Sequence, residues 1–224
     1  MFKDKELIIF DLDGTLIDSA PSLANAILFM LKELNLEPLD RELIKTFVGN
    51  GADILVKRSL ARDKDYTKVK IDQELFNKAK ELFFNYYANN LTQDTLLYPN
   101  VKETLKFLKE KGYTLALATN KPYRFIETLL EHFDIYDLFT IYLGGDSVEN
   151  KKPNPQMLLE ILNRLNKPPQ KAVMVGDSSN DILAAKRANI DSIALTYGYN
   201  QGVNLKELNP TIICSDFSEL KELF

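Results

Sequence analysis

Two aspartates, separated by one residue, lie at the end of an apolar run near the start of the chain. Asp11 and Asp13 follow Leu7–Phe10, a short continuous apolar run that is typical of a strand buried on both faces. Two carboxylates this close raise each other's pKa unless a positive charge lies near them. Side chains alternate along a strand, so both aspartates lean to the same side. We therefore expect a site here that includes a cation.

Two more aspartates follow a second apolar run. Asp177 comes directly after residues 171–176, and Asp181 comes four residues later. Ligands of parallel α/β sheets bind beyond the carboxyl ends of the strands, so we expect these two side chains to converge on Asp11 and Asp13. Carboxylate oxygens are preferred ligands of Mg²⁺. The pattern predicts a magnesium site.

Hydrogen-bond donors suited to an anion accompany the acids. Thr119 ends the apolar run 113–119 and Asn120 follows it, and Lys152 precedes a proline farther along the chain. Carboxylates, Mg²⁺ and anion-binding donors together indicate phosphoryl transfer, in which catalysis is mainly positioning and charge neutralisation. In such a site Asp11 can attack phosphorus, and Asp13 can act as the general acid and base.

The apolar runs alternate with helical patterns along most of the chain. Runs at 191–197 and 211–214 add to the three already named, and helical patterns cover 101–111, 122–131, 154–166 and 179–189. Alternation of this kind predicts an α/β fold with a doubly wound parallel sheet, which is a Rossmann-like core.

One long segment departs from this alternation and reads as helices throughout. On its last helix a core-facing stripe is predicted from apolar residues at helical spacing: Leu75, Phe76, Ala79, Leu82, Phe83 and Tyr86. The segment is too long for a simple crossover between strands. We therefore predict a helical cap domain at residues 17–92, inserted into a catalytic core formed by residues 1–16 and 93–224.

The chain resembles the phosphatases of the haloacid dehalogenase superfamily over nearly its whole length. Four motifs carry the resemblance, in the family's order: Asp11-Leu12-Asp13-Gly14-Thr15, Thr119-Asn120, Lys152 before Pro153, and Gly176-Asp177 with Asp181. The family fold has a helical cap between its first and second motifs. The resemblance therefore implies the same core and cap as the pattern of elements.

The resemblance also implies a role for each acid. Asp11 would be the nucleophile and Asp13 the general acid and base. Mg²⁺ would be held by the Asp11 carboxylate, the Asp13 main-chain carbonyl and Asp177, with Asp181 acting as a ligand through water or as a support. In the same way, Thr119, Asn120 and Lys152 would bind the transferring phosphoryl group.

The expected substrate is a small anionic phosphate ester. Dehalogenases and ion-pumping ATPases of the superfamily lack an aspartate at the position of Asp13, so its presence favours ester hydrolysis. Segments 47–60, 143–155 and 195–202 resemble the bacterial phosphoglycolate phosphatases, which implies hydrolysis of 2-phosphoglycolate to glycolate and phosphate. Three alternatives stay open: another phosphate ester or pyrophosphate, a phosphosugar mutase, and a non-enzymatic phosphate receiver.

The cap contains a loop of uncertain role, Gly49-Asn50-Gly51. It is either a helix break or a loop that reaches over the site when the cap closes. In the second case Arg58 is a candidate to bind a substrate carboxylate, because a guanidinium fork matches a carboxylate. It could equally be a surface residue paired with an acid.

Four other residues have simpler interpretations. Asp18 and Ser19 are expected to cap the first cap helix, just before Pro21. His132 is expected at a helix C-terminus, and Cys214 in a buried strand. For the phosphate-binding lysine we favour Lys152 over its neighbour Lys151.

Composition limits the possible partners. The 224 residues carry a net charge of -4, so general attraction to nucleic acid is not expected. A single cysteine excludes an internal disulfide and suits a cytoplasmic protein. No apolar run reaches the roughly 18 residues of a membrane helix. A monomer or a homodimer is compatible with these properties.

Overall fold

A six-stranded parallel sheet forms the centre of the computed structural model, which describes residues 2–200 and 202–224. Met1 and Gln201, the latter within segment 195–202, lie outside the described residues. The strands in spatial order are β5 (Ile141–Leu143), β4 (Thr114–Ala118), β1 (Leu7–Phe10), β6 (Ala172–Gly176), β7 (Asp191–Leu195) and β8 (Ile212–Cys214).

The three central strands end at the same level. In the register of the sheet, Phe10 of β1 lies beside Leu117 of β4 and Val175 of β6. The residues that follow these strands therefore leave the sheet together, which is what the sequence analysis required of a shared site.

Helices cover both faces of the sheet, as the alternation of β1 side chains shows. Ile8 and Phe10 belong to one apolar cluster with α5 (Val101–Glu110) and α6 (Ile126–His132). Leu7 and Ile9 belong to another with α7 (Gln156–Arg164) and α8 (Ser179–Arg187). This arrangement confirms the predicted doubly wound α/β fold. A short helix, α9 (Leu220–Leu223), ends the chain.

Four helices lie between β1 and β4, which follow each other along the chain as strands of this sheet. They are α1 (Ala20–Glu33), α2 (Arg41–Lys45), α3 (Ala52–Ala61) and α4 (Gln73–Asn89). The chain enters and leaves this helical segment through two short antiparallel strands, β2 (Ile17–Asp18) and β3 (Leu96–Leu97). The apolar cluster that contains Phe10 also contains residues of α1 and α4, so a domain boundary at 16/17 and 92/93 stays a prediction.

The short elements differ from the sequence analysis. Strand β5 and the β2–β3 pair were not predicted, because two or three residues are too few to show a periodicity. Within the described ranges, no helix is both long and apolar enough to cross a membrane.

Candidate functional site

Three buried carboxylates meet where β1 and β6 end. Oxygen atoms of Asp11, Asp177 and Asp181 all lie within 4.8 Å of one another. Asp11 follows β1 directly and Asp177 follows β6, so the neighbouring strands bring them together. Asp181 reaches the same place from the first turn of α8.

Lys152 partly compensates this concentration of negative charge. Its Nζ lies 2.9 Å from Asp11 Oδ1 and 2.6 Å from Asp181 Oδ1, and its side chain is buried. Burial lowers the pKa of the Lys152 ammonium, but the two carboxylates outweigh burial and the pKa lies above its usual value. Lys152 is thus a buried cation that joins two of the acids.

Burial, together with the remaining negative charge, raises the pKa of two carboxyls. Burial raises the pKa of Asp11 to about 7, with Asp181 and Asp13 adding to the rise and Lys152 opposing it. Burial, Asp181 and Asp11 hold the pKa of Asp177 well above its usual value. Apart from the contact with Lys152, the buried Asp11 Oδ1 has no hydrogen bond among the described residues. These properties fit a site that holds a metal ion.

Local hydrogen bonds fix the orientation of the acids at β6. Asp177 accepts hydrogen bonds from Thr15 Oγ1 (2.8 Å) and from the Tyr199 main-chain N–H (2.5 Å). Asp181 Oδ2 accepts from the main chain and hydroxyl of Ser178, which forms a capping box at the start of α8. The interpretations of Asp181 as helix cap and as site residue are therefore compatible.

Gly14 allows the close approach of the first loop to Asp177. Its φ is +89°, and a Cβ at this position would lie 2.3 Å from Asp177 Oδ2. Any larger residue would displace the carboxylate.

Asp13 lies beside the acidic group and has partners of its own. Ser19 Oγ donates to Asp13 Oδ1 at 2.5 Å, and Lys121 Nζ lies 2.8 Å from the same oxygen. Ser19 was predicted as a helix cap and makes no side-chain cap bond; Asp18 instead accepts from the Ala20 N–H. Ser19 therefore orients Asp13.

The sequence analysis did not select Lys121. Its position directly after Thr119 and Asn120 was the available signal. Its side chain is buried, and burial lowers the pKa of its ammonium, but Asp13 and Tyr87 outweigh burial and the pKa is raised. Lys121 therefore stands as a cation next to Asp13, as Lys152 stands next to Asp11.

The predicted phosphate donors lie at this edge of the sheet, but the Asn120 side chain is occupied. Its Nδ2 donates to Gly49 O and Lys152 O at 3.0 Å each, and its Oδ1 accepts from Lys152 N–H at 3.0 Å. Its main-chain N–H is the group of Asn120 left to bind a phosphoryl oxygen. Thr119 Oγ1 accepts a hydrogen bond from Lys121 N–H, which leaves its hydroxyl hydrogen able to donate.

A pocket lies between the strand ends and the helical segment. Its polar wall includes Asp11, Asp13, Thr119 and Lys121. Its opposite wall consists of apolar and aromatic side chains and glycines: Leu23, Val48, Gly49, Gly51, Ala52, Leu55, Phe83, Phe84 and Tyr87.

The loop at residues 47–51 contacts the core directly. Gly49 O accepts hydrogen bonds from Asn120 Nδ2 (3.0 Å) and Asn180 Nδ2 (3.1 Å). Arg58 does not line the pocket in this structure. Its guanidinium donates to Phe47 O (2.8 Å) and Asn50 Oδ1 (3.0 Å), so it supports the loop from behind.

The remaining candidates are placed as follows. The Lys151 side chain lies close to Gly51, since its Nζ would be 3.2 Å from a Cβ at that position. Lys151 contributes to neither ion pair of Lys152. His132 is in the last turn of α6, as predicted. Cys214 is buried on β8, and burial raises the pKa of its thiol to about 11.

The chain is similar to known proteins along its whole length. Residues 8–195 match the family model of haloacid dehalogenase-like hydrolases. A phosphoglycolate phosphatase of Psychrobacter arcticus is 46% identical, over 97% of this chain and 94% of that protein. One of Haemophilus influenzae is 43% identical, over 96% of both.

Solved structures agree with these sequence relatives. The crystal structure described as a predicted phosphoglycolate phosphatase from Haemophilus somnus superposes with a TM-score of 0.93. It is 39% identical, and the alignment covers 99% of this chain and 98% of that one.

Proposed function

The chain belongs to the haloacid dehalogenase-like hydrolases, and from this we propose that it is a Mg²⁺-dependent phosphomonoesterase whose main substrate is 2-phosphoglycolate. The observation that carries the proposal is the pairing of each catalytic aspartate with its own buried lysine. Asp11 lies against Lys152 and Asp13 against Lys121, and both aspartates line the same pocket.

Asp11 and Asp13 divide the chemistry between them. Asp11 attacks phosphorus and forms an aspartyl-phosphate, while the bond from phosphorus to the ester oxygen breaks and Asp13 gives that oxygen a proton. Asp13 then takes a proton from a water molecule whose oxygen attacks the same phosphorus. The bond to Asp11 breaks, and inorganic phosphate leaves.

The metal ion would be held by the Asp11 carboxylate, the Asp13 main-chain carbonyl and Asp177. Bound Mg²⁺ would neutralise charge on the phosphoryl oxygens and keep Asp11 ionised. Asp181 supports the group by orienting Lys152 at 2.6 Å. The buried acids support this assignment, as does an Asp11 oxygen that has no hydrogen bond among the described residues besides its contact with Lys152.

The transferring phosphoryl group would lie against Lys152, the Thr119 hydroxyl and the main-chain N–H of Asn120. The Lys152 charge stabilises the negative charge that develops during transfer. The side chain of Asn120 has a different task, because it joins the loop of the helical segment to the main chain of Lys152.

The helical segment would act as a lid over the reaction. In this structure its loop is hydrogen bonded to Asn120 and Asn180, and apolar side chains close the pocket. A pocket narrowed in this way suits an ester with few atoms beyond the phosphate. The names of the relatives support 2-phosphoglycolate within that class.

Phosphate release from a panel of small esters tests the proposal. The panel should contain 2-phosphoglycolate, sugar phosphates and pyrophosphate, each with Mg²⁺ and with excess chelator. We expect Asp11→Asn to lower kcat by at least about 10⁴-fold, because the carboxamide is a poor nucleophile. The matched control is Asp137→Asn, since Asp137 is an exposed acid away from the pocket.

Each outcome has a distinct meaning. Activity that survives chelation or Asp11→Asn would contradict the mechanism. Preference for another ester would contradict only the choice of substrate. Isomerised sugar phosphate without free phosphate would identify a mutase, and a phospho-Asp11 lifetime of minutes to hours would identify a receiver.

A further inference from the structure

The hydroxyl group of Tyr87 is buried in the pocket wall, close to Lys121 but without a well-formed hydrogen bond among the described residues. Tyr87 is 2% exposed and lines the pocket, and among the described residues its hydroxyl makes no hydrogen bond of acceptable geometry. A buried polar group without a partner destabilises the folded state. Burial also raises the pKa of this phenol, so the group is a hydrogen-bond donor at neutral pH.

Lys121 is next to this hydroxyl and shares the pocket with it. Its Nζ lies 5.0 Å from the centre of the Tyr87 ring. Among the described residues that line the pocket, Lys121 is the only one with a positive charge. Lys152 lies deeper, between Asp11 and Asp181, and is committed to the phosphoryl group.

We propose that Lys121 and Tyr87 bind a carboxylate on the substrate, and that Lys121 leaves Asp13 for that carboxylate when the ester binds. This inference rests on the proposed function, and it names the residues that select an ester with a second anionic group. Both side chains offer donors, and a carboxylate offers only acceptors, so the three groups are complementary.

The reach of a small ester fits this arrangement. Asp13 must lie within hydrogen-bond distance of the ester oxygen, about 2.6–3.2 Å, to protonate it. Lys121 Nζ is 2.8 Å from Asp13 Oδ1. In 2-phosphoglycolate three covalent bonds separate the ester oxygen from a carboxylate oxygen, a span of roughly 3 Å by standard bond lengths. The carboxylate thus reaches Lys121 from the position in which the ester oxygen contacts Asp13.

The exchange also connects recognition with catalysis. One Asp13 oxygen accepts from both Ser19 and Lys121 in this structure. When Lys121 turns to the substrate carboxylate, Asp13 keeps Ser19 as its support and is free to face the ester oxygen. An ester without the second anion leaves Lys121 paired with Asp13 and is therefore a poorer substrate.

The experiment compares two esters of the same length, 2-phosphoglycolate and 2-hydroxyethyl phosphate, which carries a neutral alcohol in place of the carboxylate. For each protein the quantity measured is the ratio of the two kcat/KM values. We expect Lys121→Met to reduce the wild-type ratio by about 10- to 100-fold, the effect of one charge-assisted hydrogen bond. Tyr87→Phe, which removes one oxygen atom, should reduce it by about 3- to 10-fold.

The control variant is Lys57→Met. Lys57 belongs to α3 and packs against the rings of Tyr66 and Phe76, so its removal should leave the ratio unchanged. An unchanged ratio in both test variants would overturn the inference. Equal loss on both esters, complete loss included, would also overturn it and leave Lys121 as a support of Asp13. If the wild type releases phosphate from no ester, the proposed function itself has failed.

Discussion

The two walls of the pocket are built from opposite kinds of side chain. The core wall holds buried charges that follow strand ends, such as Asp11 and Lys121, and the buried Asp177 and Lys152 lie next to Asp11. The wall of the helical segment is apolar, with Leu55 and Phe83 among its buried residues. The walls come from different parts of the chain and meet only in the folded protein.

The difference between the walls separates two requirements of catalysis. Buried charges need fixed partners, and the loops that follow β4 and β5 supply them as Lys121 and Lys152. An apolar wall excludes water and strengthens every electrostatic interaction opposite it. We infer that the chemistry depends on the core wall. Substrate choice then depends on the few polar groups that lie where the two walls meet.

The largest expected effect comes from removing Lys152, the cation that joins Asp11 and Asp181. Lys152→Met leaves Asp11 and Asp181 without their shared partner. We expect a loss of about 3–5 kcal/mol in the free energy of unfolding, typical of breaking a buried ion pair. The value of kcat should fall by at least about 10²-fold, because the phosphoryl group loses its main donor. Urea denaturation and phosphate release measure the two effects.

The neighbouring lysine is a matched control for this prediction. Lys151→Met removes the same charge one residue away, where no ion pair with Asp11 or Asp181 is formed. Its stability should change by less than about 1 kcal/mol. Adding Asp181→Asn to Lys152→Met should restore part of the stability and none of the activity. A stable and active Lys152→Met protein would show that the core wall does not depend on Lys152.

A second prediction concerns the pH dependence of the metal-free protein. The folded-state pKa is about 7 for Asp11 and is also raised for Asp177, above the unfolded values near 4. The folded chain then binds more protons than the unfolded chain between about pH 4 and pH 7, so stability falls as pH rises through this window. In chelator, Tm should be several degrees lower at pH 8 than at pH 5.5, at about 2–4 °C per kcal/mol.

Asp177→Asn sharpens this prediction, because it removes one buried charge and keeps the shape. The variant should be more stable than wild type at pH 8 in chelator, and Mg²⁺ should raise Tm of the wild type but not of the variant. Carboxyls whose pKa is lowered, such as Asp191 and Asp216, lose their contribution only below about pH 4, outside the window. A wild-type Tm independent of pH and Mg²⁺ would contradict the assignment of the core wall.

The sequence predicted more of the core wall than of the opposite wall. Leu7–Phe10 was predicted with its observed bounds, because a strand buried on both faces leaves an unbroken apolar run. Once the strand ends are known, a parallel sheet places Asp11 and Asp177 at the same edge, and the pairing of β1 with β6 makes them neighbours. The strand ends are therefore encoded locally, whereas the order of the strands is not.

The opposite wall depends on which residues of α4 face inward. An apolar pattern defines this rotation of the helix less sharply than it defines a buried strand. The stripe predicted on α4 included Tyr86, but the buried set is Phe76, Ala79, Phe83 and Tyr87. Residues three and four positions after Phe83 both fit helical spacing, and two adjacent tyrosines cannot be separated by pattern. The contacts of Lys121 and Ser19 with Asp13 also depend on side-chain rotamers, which spacing does not specify.

The smallest expected effect tests whether Arg58 or Lys121 binds a substrate carboxylate. The sequence analysis named Arg58, but its guanidinium donates to Phe47 O and Asn50 Oδ1 and does not line the pocket. Arg58→Gln should therefore loosen the loop at residues 47–51, at about 1 kcal/mol per lost hydrogen bond, and raise KM by about 3- to 5-fold. The increase should be the same for 2-phosphoglycolate and 2-hydroxyethyl phosphate, because the lost bonds hold the loop and not the ligand. A selective loss on 2-phosphoglycolate would assign carboxylate recognition to Arg58 and not to Lys121, and the division between the two walls would then fail at this point.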